Sequence, residues 1–470
     1  MTTESIRLSG LDTAALLLES ETCPMQMMAV LLLDTSTMPS GYSYATLRNF
    51  LAQRIHVVPP LSRCVMGVPG SLHRPVWIDA ETIDWDYHLP RTVVTEPLDL
   101  TRLGTIAGEL AAEHLDRSRP LWRLRVLESP SSSRVALVAT VHHALMDGLG
   151  GMEFMASLFD LEPKEHEAAP PPASIGPSPP PRAGLLRRAI RDLSLLPADA
   201  ARVIGQGVQL ASEYVTRPAA GLDSAPLPFT APPTMLNGRL TALRSVALER
   251  VSFDVVRKAA RAADVTVNEI VLAVVSGALR DYLRRRDACP VTRLVAGVPA
   301  ASDAPGGGFG NALTYLLVRL PTEIDDPLER LRIASRESAI AKRRGKSLGM
   351  QTLTSALDLL TPLPIDVVLN AYRNLLVDRL RPLWNVFVSN VPGTPVDLYV
   401  AGARLDALFP LGPIYDGFGL NVTVISHVHD LDIGVVACTD LVPDLDQLVA
   451  DMVGGFAELG EFLDSVPVAP

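Results

Sequence analysis

The stretch RVALVATVHHALMDGLGG, residues 134–151, decides how this chain is read. From Arg134 to Val141 it is nearly continuously apolar, as expected of a strand buried on both faces. The run stops at two adjacent histidines. A turn through Asp147, Gly148, Gly150 and Gly151 then leads into a helical pattern, so a loop at a strand end carries the polar groups. Neighbouring side chains on a strand point oppositely, so His142 and His143 do not share a pocket, which argues against a two-histidine metal site. One of them is expected to do chemistry. Imidazole has a reference pKa of ~6.5 and accepts a hydroxyl proton near neutral pH, while the aspartate four residues on holds the loop. A His followed by an Asp at this spacing also fits a satisfied core histidine; the doublet, the strand and the glycines favour the reactive loop.

The chain around this stretch has 470 residues, enough for two domains of ordinary size. It is 48% hydrophobic, yet no stretch reaches the ~18 uninterrupted apolar residues of a spanning helix. The opening MTTESIRLSGLD lacks the basic-then-apolar pattern of a secretory signal, which predicts a cytoplasmic protein. A formal charge of -10 opposes binding to phosphate backbones, so nucleic acid is not an expected partner. Cys23, Cys64, Cys289 and Cys438 form no CxxC pair and read as buried thiols.

Repeated proline in EPKEHEAAPPPASIGPSPPPRAG, residues 162–184, marks the clearest boundary. The expected division is an N-terminal domain over 1–161, a proline-rich linker with amphipathic helices over 162–224, and a C-terminal domain over 225–470. In the first part, LDTAALLLES and LGTIAGELAAEHLD read as helices and MAVLLLD as a strand. In the last, VTVNEIVLAVVSGALRDYL reads as a long helix, and RLVAGVPA, LTYLLVRL, NVFVSNV and LDIGVVA as strands. Two mixed halves make the space between them a natural pocket. Within the linker, Leu186, Ile190 and Leu193 fall on one helical face beside Arg187, Arg188 and Arg191. That pattern suits either a membrane surface or a helix packed between domains.

HHALMDG resembles the HHxxxDG signature of bacterial wax ester synthase/diacylglycerol acyltransferases and of nonribosomal peptide condensation domains. Further segments are similar to the first group: LSGLDTAALLLESETCPMQ, SLHRPVWIDAETIDWDYHL, PLW at 120–122, PPTMLNG at 232–238, TVNEIVLA at 266–273 and SNVPG at 389–393. The resemblance spans both sides of the linker. It implies an α/β (α+β) fold of two chloramphenicol-acetyltransferase-like domains with a channel between them. It also implies that His143 is the general base, that His142 supports the turn, and that Asp147, beside Gly148, is structural and holds the loop through an arginine. Substrate contacts are implied at Asn268, Ser389 and Asn390. Two departures stand out: Glu269 follows Asn268 where the family has aspartate, and Gln26 stands where many members have histidine. Asn268 reads equally as a helix-initiating residue.

The reaction so implied is acyl transfer from acyl-CoA, as donor substrate and without any cofactor, to diacylglycerol or a long-chain alcohol. It yields triacylglycerol or wax ester at or near the inner membrane or lipid droplets. No acyl-enzyme is required, because a thiolate leaves readily and no serine or cysteine adjoins the histidines. A carrier-protein-dependent condensation-type transferase and a catalytically silent lipid-binding protein are the competing readings. Other motifs carry less. GKSLG at 345–349 lacks the apolar strand that a nucleophilic Ser347 needs, and the nearby Lys342, Arg343, Arg344 and Lys346 read as a solvated helix end, with contact to CoA phosphates or a lipid surface as the alternative. GGGFGN at 306–311 reads as a loop, and His427 and His429 in SHVHD as a hairpin end. The tryptophans Trp77, Trp85, Trp122 and Trp384 read as core or channel wall.

Overall fold

The computed structural model describes residues 6–56, 58–130, 132–145, 157–164, 181–192, 225–288, 292–301, 313–345, 358 and 360–465. Asp147, Gly148, Ser347, Cys289 and the 306–311 loop lie outside these residues, as do most of the proline-rich stretch and Leu193.

Fifteen strands are described, in chain order β1 (Ile6–Arg7), β2 (Gln26–Asp34), β3 (Arg63–Met66), β4 (Val76–Asp79), β5 (Arg91–Val93), β6 (Trp122–Glu128), β7 (Arg134–His142), β8 (Arg244–Ser252), β9 (Leu294–Ala301), β10 (Leu313–Leu320), β11 (Val386–Thr394), β12 (Tyr399–Val400), β13 (Ala403–Leu411), β14 (Leu420–His427) and β15 (Asp430–Cys438). They form a first six-stranded sheet, β12-β13-β2-β7-β6-β5, a second six-stranded sheet, β10-β9-β11-β14-β15-β8, and a small sheet β1-β4-β3. The mixed architecture, with helices on both large sheets, is the α/β arrangement expected from the sequence.

Strand β7 is buried from Val135 to its end, which explains why its sequence does not alternate. Val135, Leu137, Ala139 and Val141 enter one apolar cluster, and Ala136 and Val138 another. Its antiparallel pairing with β2 runs in unbroken register from Arg134↔Asp34 to His142↔Gln26.

The sequence does not announce where β13 goes. It lies beyond the linker, yet it pairs antiparallel with β2 from Asp34↔Arg404 to Met28↔Leu411, with a bulge between Leu405 and Ala407. The first sheet is thus completed by chain from the second half. A carboxylate ties this strand to the second sheet. Asp432 on β15 is fully buried; its Oδ2 accepts the Leu408 N–H at 2.8 Å, and its Oδ1 accepts from Arg250 Nε on β8 at 2.6 Å. Arg250 also donates to the Asp406 carbonyl at 2.5 Å. Burial pushes the Asp432 carboxyl up, and the guanidinium and the backbone N–H oppose that rise.

Helix Leu100–Ala111 from the first half lies against β8 of the second sheet. The contact needs Gly104, where an added methyl would sit 2.7 Å from the Val246 carbonyl oxygen. In the linker, residues 182–192 are helical, and the buried positions are Leu185 and Ala189. Ile190 is exposed and Leu186 only half-buried, so the described part of the expected face does not turn inward. Arg7 and Asp192 pair at 2.8 Å and fix the helix in that rotation. Of the cysteines, Cys23 and Cys438 are buried as expected, whereas Cys64 is only half-buried on the edge of the small sheet.

The crossing of β13 and β15 gives a test. A methyl at Gly434 would lie 2.1 Å from the Pro410 carbonyl oxygen. Replacing a strand glycine gains roughly 0.5–1 kcal/mol of backbone entropy, while overpacking against fixed backbone costs about 1–3 kcal/mol. The clash wins, and Gly434→Ala is expected to lower stability in a urea melt. An unchanged or raised midpoint would mean that the two strands separate easily.

Candidate active site

His143 follows the last residue of β7, and its backbone N–H donates to the Met25 carbonyl at 2.9 Å. The side chain continues the phase of Ala139 and Val141, and all three line a cavity of about 610 Å³. First-sheet residues Val141, Met27 and Leu408 wall one side of this cavity, and second-sheet residues Phe387, Ser389, Asn421 and Thr423 the other. The lining is mostly aliphatic and aromatic, with few polar groups. Asn421 and Thr423 form one ordered pair: Thr423 Oγ1 donates to Asn421 Oδ1 at 2.8 Å, and Asn421 Nδ2 donates to the Pro413 carbonyl at 3.0 Å. Tyr415, also on the wall, has its phenol pushed well above the ordinary range by burial, so it stays a neutral hydroxyl.

His142 is out of phase with His143 and is 1% exposed. Its Nδ1 accepts the Ala144 N–H at 3.0 Å, which assigns the proton of the neutral ring to Nε2. Nε2 lies 3.5 Å from Glu19 Oε2, a separation at which the contact is electrostatic rather than a short hydrogen bond. Arg117 holds the same carboxylate through Nε at 2.6 Å and donates to the Leu16 carbonyl at 2.5 Å. Burial by itself raises the Glu19 carboxyl, but His142 and Arg117 outweigh it and keep it below its ordinary 4.5. The two histidines therefore face different surroundings, one a cavity and the other the buried Glu19 carboxylate.

The other sequence-derived positions divide. Ser389 lines the cavity, whereas Asn390, its neighbour on β11, is not among the lining residues. Asn268 is the second residue of helix Val267–Arg284, and it too lies off the cavity lining. The cap of that helix is Thr266. Glu269 closes a capping box by accepting the Thr266 N–H at 2.9 Å, and it pairs with Lys342 at 3.2 Å. Lys342 is therefore engaged by a buried carboxylate rather than forming part of a purely solvated end. Gln26 pairs across from His142 and donates to the Glu113 carbonyl at 2.9 Å.

The motif segments have mostly structural work. In PLW, Trp122 is buried and its indole N–H donates to the Leu61 carbonyl at 2.7 Å. In PPTMLNG, Asn237 donates to the Trp384 and Gly417 carbonyls at 3.0 and 2.8 Å and accepts from buried Asn385 at 2.8 Å. His427 is buried at the β14–β15 hairpin, and His429 is exposed and meets Asp254 at 2.8 Å, so the hairpin reading stands. Sequence reasoning missed Glu19, Arg117, Asn421 and Thr423. Glu19 does fall inside a segment of resemblance, but no spacing connects it to a histidine so far along the chain.

Comparison with known proteins matches residues 8–271 to the wax ester synthase/diacylglycerol acyltransferase catalytic domain and residues 309–460 to the WS/DGAT C-terminal domain. The chain belongs to the wax ester synthase/diacylglycerol acyltransferase family. A putative diacylglycerol O-acyltransferase of Mycobacterium tuberculosis is 33% identical over 469 residues, covering 98% of this chain and 91% of its own. The O-acyltransferase WSD of Acinetobacter baylyi is 29% identical over 400 residues, 84% of each chain. Among solved structures, the wax ester synthase/diacylglycerol acyltransferase from Marinobacter aquaeolei VT8 aligns with a TM-score of 0.70 at 25% identity, over 97% of this chain and 100% of that one. The first condensation domain of the calcium-dependent antibiotic synthetase aligns at 0.59 with 15% identity, over 100% and 98%, and shares the fold. The two-domain acyltransferase fold and acyltransferase activity follow from family membership.

The Glu19 arrangement predicts a pH dependence. A carboxyl whose folded pKa is depressed adds stability above its unfolded pKa and loses it as pH falls through the folded value. Glu19→Gln is therefore expected to lower stability by about 1–3 kcal/mol at pH 7, with the gap to the parent closing below pH 4.5. Urea melts of both proteins across that range provide the check, and a constant gap would dissociate Glu19 from the pair.

Proposed function

We propose that this protein transfers a long-chain acyl group from acyl-CoA to the hydroxyl of diacylglycerol, forming triacylglycerol, and also accepts long-chain alcohols to form wax esters. The observation that carries the reading is a single imidazole, His143, on the wall of a large, mainly apolar cavity between two sheets. Such a cavity suits aliphatic chains, and the imidazole is the basic group that an alcohol nucleophile needs.

In the proposed step His143 takes the hydroxyl proton while the alcohol oxygen attacks the thioester carbonyl. The new C–O bond forms, and the tetrahedral intermediate collapses with cleavage of the C–S bond. The imidazolium returns its proton to the departing CoA thiolate. The chemistry calls for no acyl-enzyme and no redox or metal cofactor, because the thiolate is already a good leaving group. Ser389 and the Asn421–Thr423 pair are the polar groups closest at hand for substrate orientation, since they line the same cavity. His142, held by Glu19, supports the turn; Asp147 is assigned to the loop beyond the described residues. Asn268 and Asn390, which lie off the cavity lining, are assigned second-rank parts in substrate binding. The names of the relatives, diacylglycerol O-acyltransferase and wax ester synthase, support the choice of acceptors. Both acceptors are lipids, so the protein is assigned to the cytoplasmic face of a lipid surface, and no single helix among the described residues is long and apolar enough to cross one.

Purified protein with labelled acyl-CoA and diacylglycerol should yield labelled triacylglycerol, and His143→Ala should cut the rate by roughly 10²–10⁴. Undiminished turnover in a folded His143→Ala variant would remove that ring from the mechanism. Exclusive use of an acyl-carrier-protein thioester would overturn the donor assignment.

A further inference from the structure

Residues 360–380, LTPLPIDVVLNAYRNLLVDRL, form helix Pro362–Ala371 and a π-helical turn over Tyr372–Leu376. A helix at the surface of a globular protein should bury its apolar stripe, and Ile365 and Val377 do so. The remaining large aliphatics do not. Leu363, Val367, Val368 and Leu375 are 64%, 59%, 65% and 58% exposed, and Leu360, Leu376 and Leu380 are exposed as well. Elsewhere among the described residues exposed large hydrophobics are scattered, as is normal, so a concentration of seven within one short segment marks an interaction face.

The backbone keeps this face continuous. The Val377 N–H reaches the Tyr372 carbonyl at 2.8 Å, an i to i+5 bond, and the Leu380 N–H then returns to the Leu376 carbonyl at 2.8 Å. The stripe Leu363, Val367, Ala371, Leu376, Leu380 steps by four except across the π-turn, where it steps by five. The wider turn therefore rephases the helix so that its two ends expose the same side.

Charge decides what the face meets. The whole chain is acidic at a formal -10, but the rim here carries exposed Arg379 and Arg381 against the half-buried Asp366, and the nearby Asp378 pairs with Arg239 at 2.7 Å. Leucine and valine with a cationic rim is the composition of a helix lying in a lipid interface. A protein partner's contact patch would instead be enriched in aromatic residues. We propose that residues 360–380 are the surface by which this protein rests on an anionic phospholipid membrane. The packed linker helix, with Leu185 and Ala189 turned inward, does not offer such a face over its described residues.

The location suits the site. Tyr372 Oη donates to the Asp416 carbonyl at 3.4 Å, next to Tyr415 on the cavity wall. Arg373 donates to the Leu17 and Leu18 carbonyls at 3.4 and 3.2 Å, at the end of the helix that leads to Glu19 and His142. A membrane under this segment is thus separated from the reactive cavity by one layer of chain. The proposal rests on the acyl-transfer reading only in taking the cavity's substrates to be membrane lipids.

Flotation of the full chain tests it, with vesicles of phosphatidylcholine alone or with added phosphatidylglycerol. The parent should float with the anionic vesicles and less so as salt rises. Val367→Glu/Val368→Glu should reduce the bound fraction about tenfold or more, and Arg379→Glu/Arg381→Glu should abolish the preference for phosphatidylglycerol. Both variants should keep parental turnover on a short-chain acceptor dispersed in detergent, which reads the chemistry separately. Absence of turnover with flotation intact would count against the function and leave the surface standing. A parent that stays unbound, or variants that float like the parent, would overturn the surface. So would variants that only convert a dimer to a monomer in sedimentation, which would give the face to a second copy of this chain.

Discussion

Strand β13 belongs to two bodies at once, and the active cavity exists because of it. Its backbone is zipped to β2 in the first sheet, while Asp432 from the second sheet grips the Leu408 N–H with Arg250 as counter-ion. Removing one partner of a buried pair like this leaves an uncompensated charge, a loss of roughly 3–5 kcal/mol, so the grip strongly resists separation. Beyond the Asp432 contact the strand continues through Pro410 and Leu411 into Gly412 and Pro413, all on the cavity wall. The sheets are therefore held together along β13, with helix Leu100–Ala111 against β8 as a further contact, and face each other across a gap beside it. Two independent domains linked only by a flexible segment would have no means of fixing that gap.

From this constraint the division of labour between the histidines follows by geometry. Strand β7 is the immediate neighbour of β2, so its odd-numbered positions lead along the cavity wall and its even-numbered ones lead away from it. His143 continues the first series. His142 belongs to the second, where no space is open and a polar ring must find partners. Its Nδ1 accepts the Ala144 N–H, and the Glu19 carboxylate lies 3.5 Å from Nε2, close enough for electrostatic attraction but not a hydrogen bond. The rigid neighbour thus fixes the strand end without entering the cavity that His143 lines.

Much of this was legible in the sequence, and the reasons are local. A run such as RVALVATV has one sensible conformation, and strict alternation then separates His142 from His143 without any knowledge of the fold. Helix Val267–Arg284 was legible as a helix, but its cap is Thr266 in a capping box with Glu269 rather than the Asn268 that the sequence suggested. What was not legible depends on contacts across long stretches of chain. Nothing in ARLDALFPL says that it pairs with β2 rather than with its own half. Nor does anything in a helical wheel distinguish Leu185 and Ala189 from Leu186 and Ile190, because both faces are apolar and Arg7–Asp192 settles the rotation. The segment 360–380 was passed over for a related reason: apolar residues at helical spacing are read as core until their exposure is known.

Apolar burial also bears on how such a site empties. Each methylene held in the cavity is worth about 0.8 kcal/mol against water, so an ester carrying long chains has little tendency to leave into solvent. The CoA half of the products has the opposite character and departs readily into water. On the proposed reaction, then, the two products need different exits: an aqueous one for the thiol and an apolar one for the lipid. The 412–418 loop lies between the cavity and the exposed leucines, with Gly417 pressed against the Tyr372 hydroxyl, where an added methyl would come within 2.4 Å. The Tyr372 hydroxyl also donates to the Asp416 carbonyl, so on the proposed membrane surface the π-turn links the exposed leucines to the loop beside the cavity wall. On that reaction, release of the lipid product is the step that an apolar exit would speed, since product release rather than chemistry limits many enzymes.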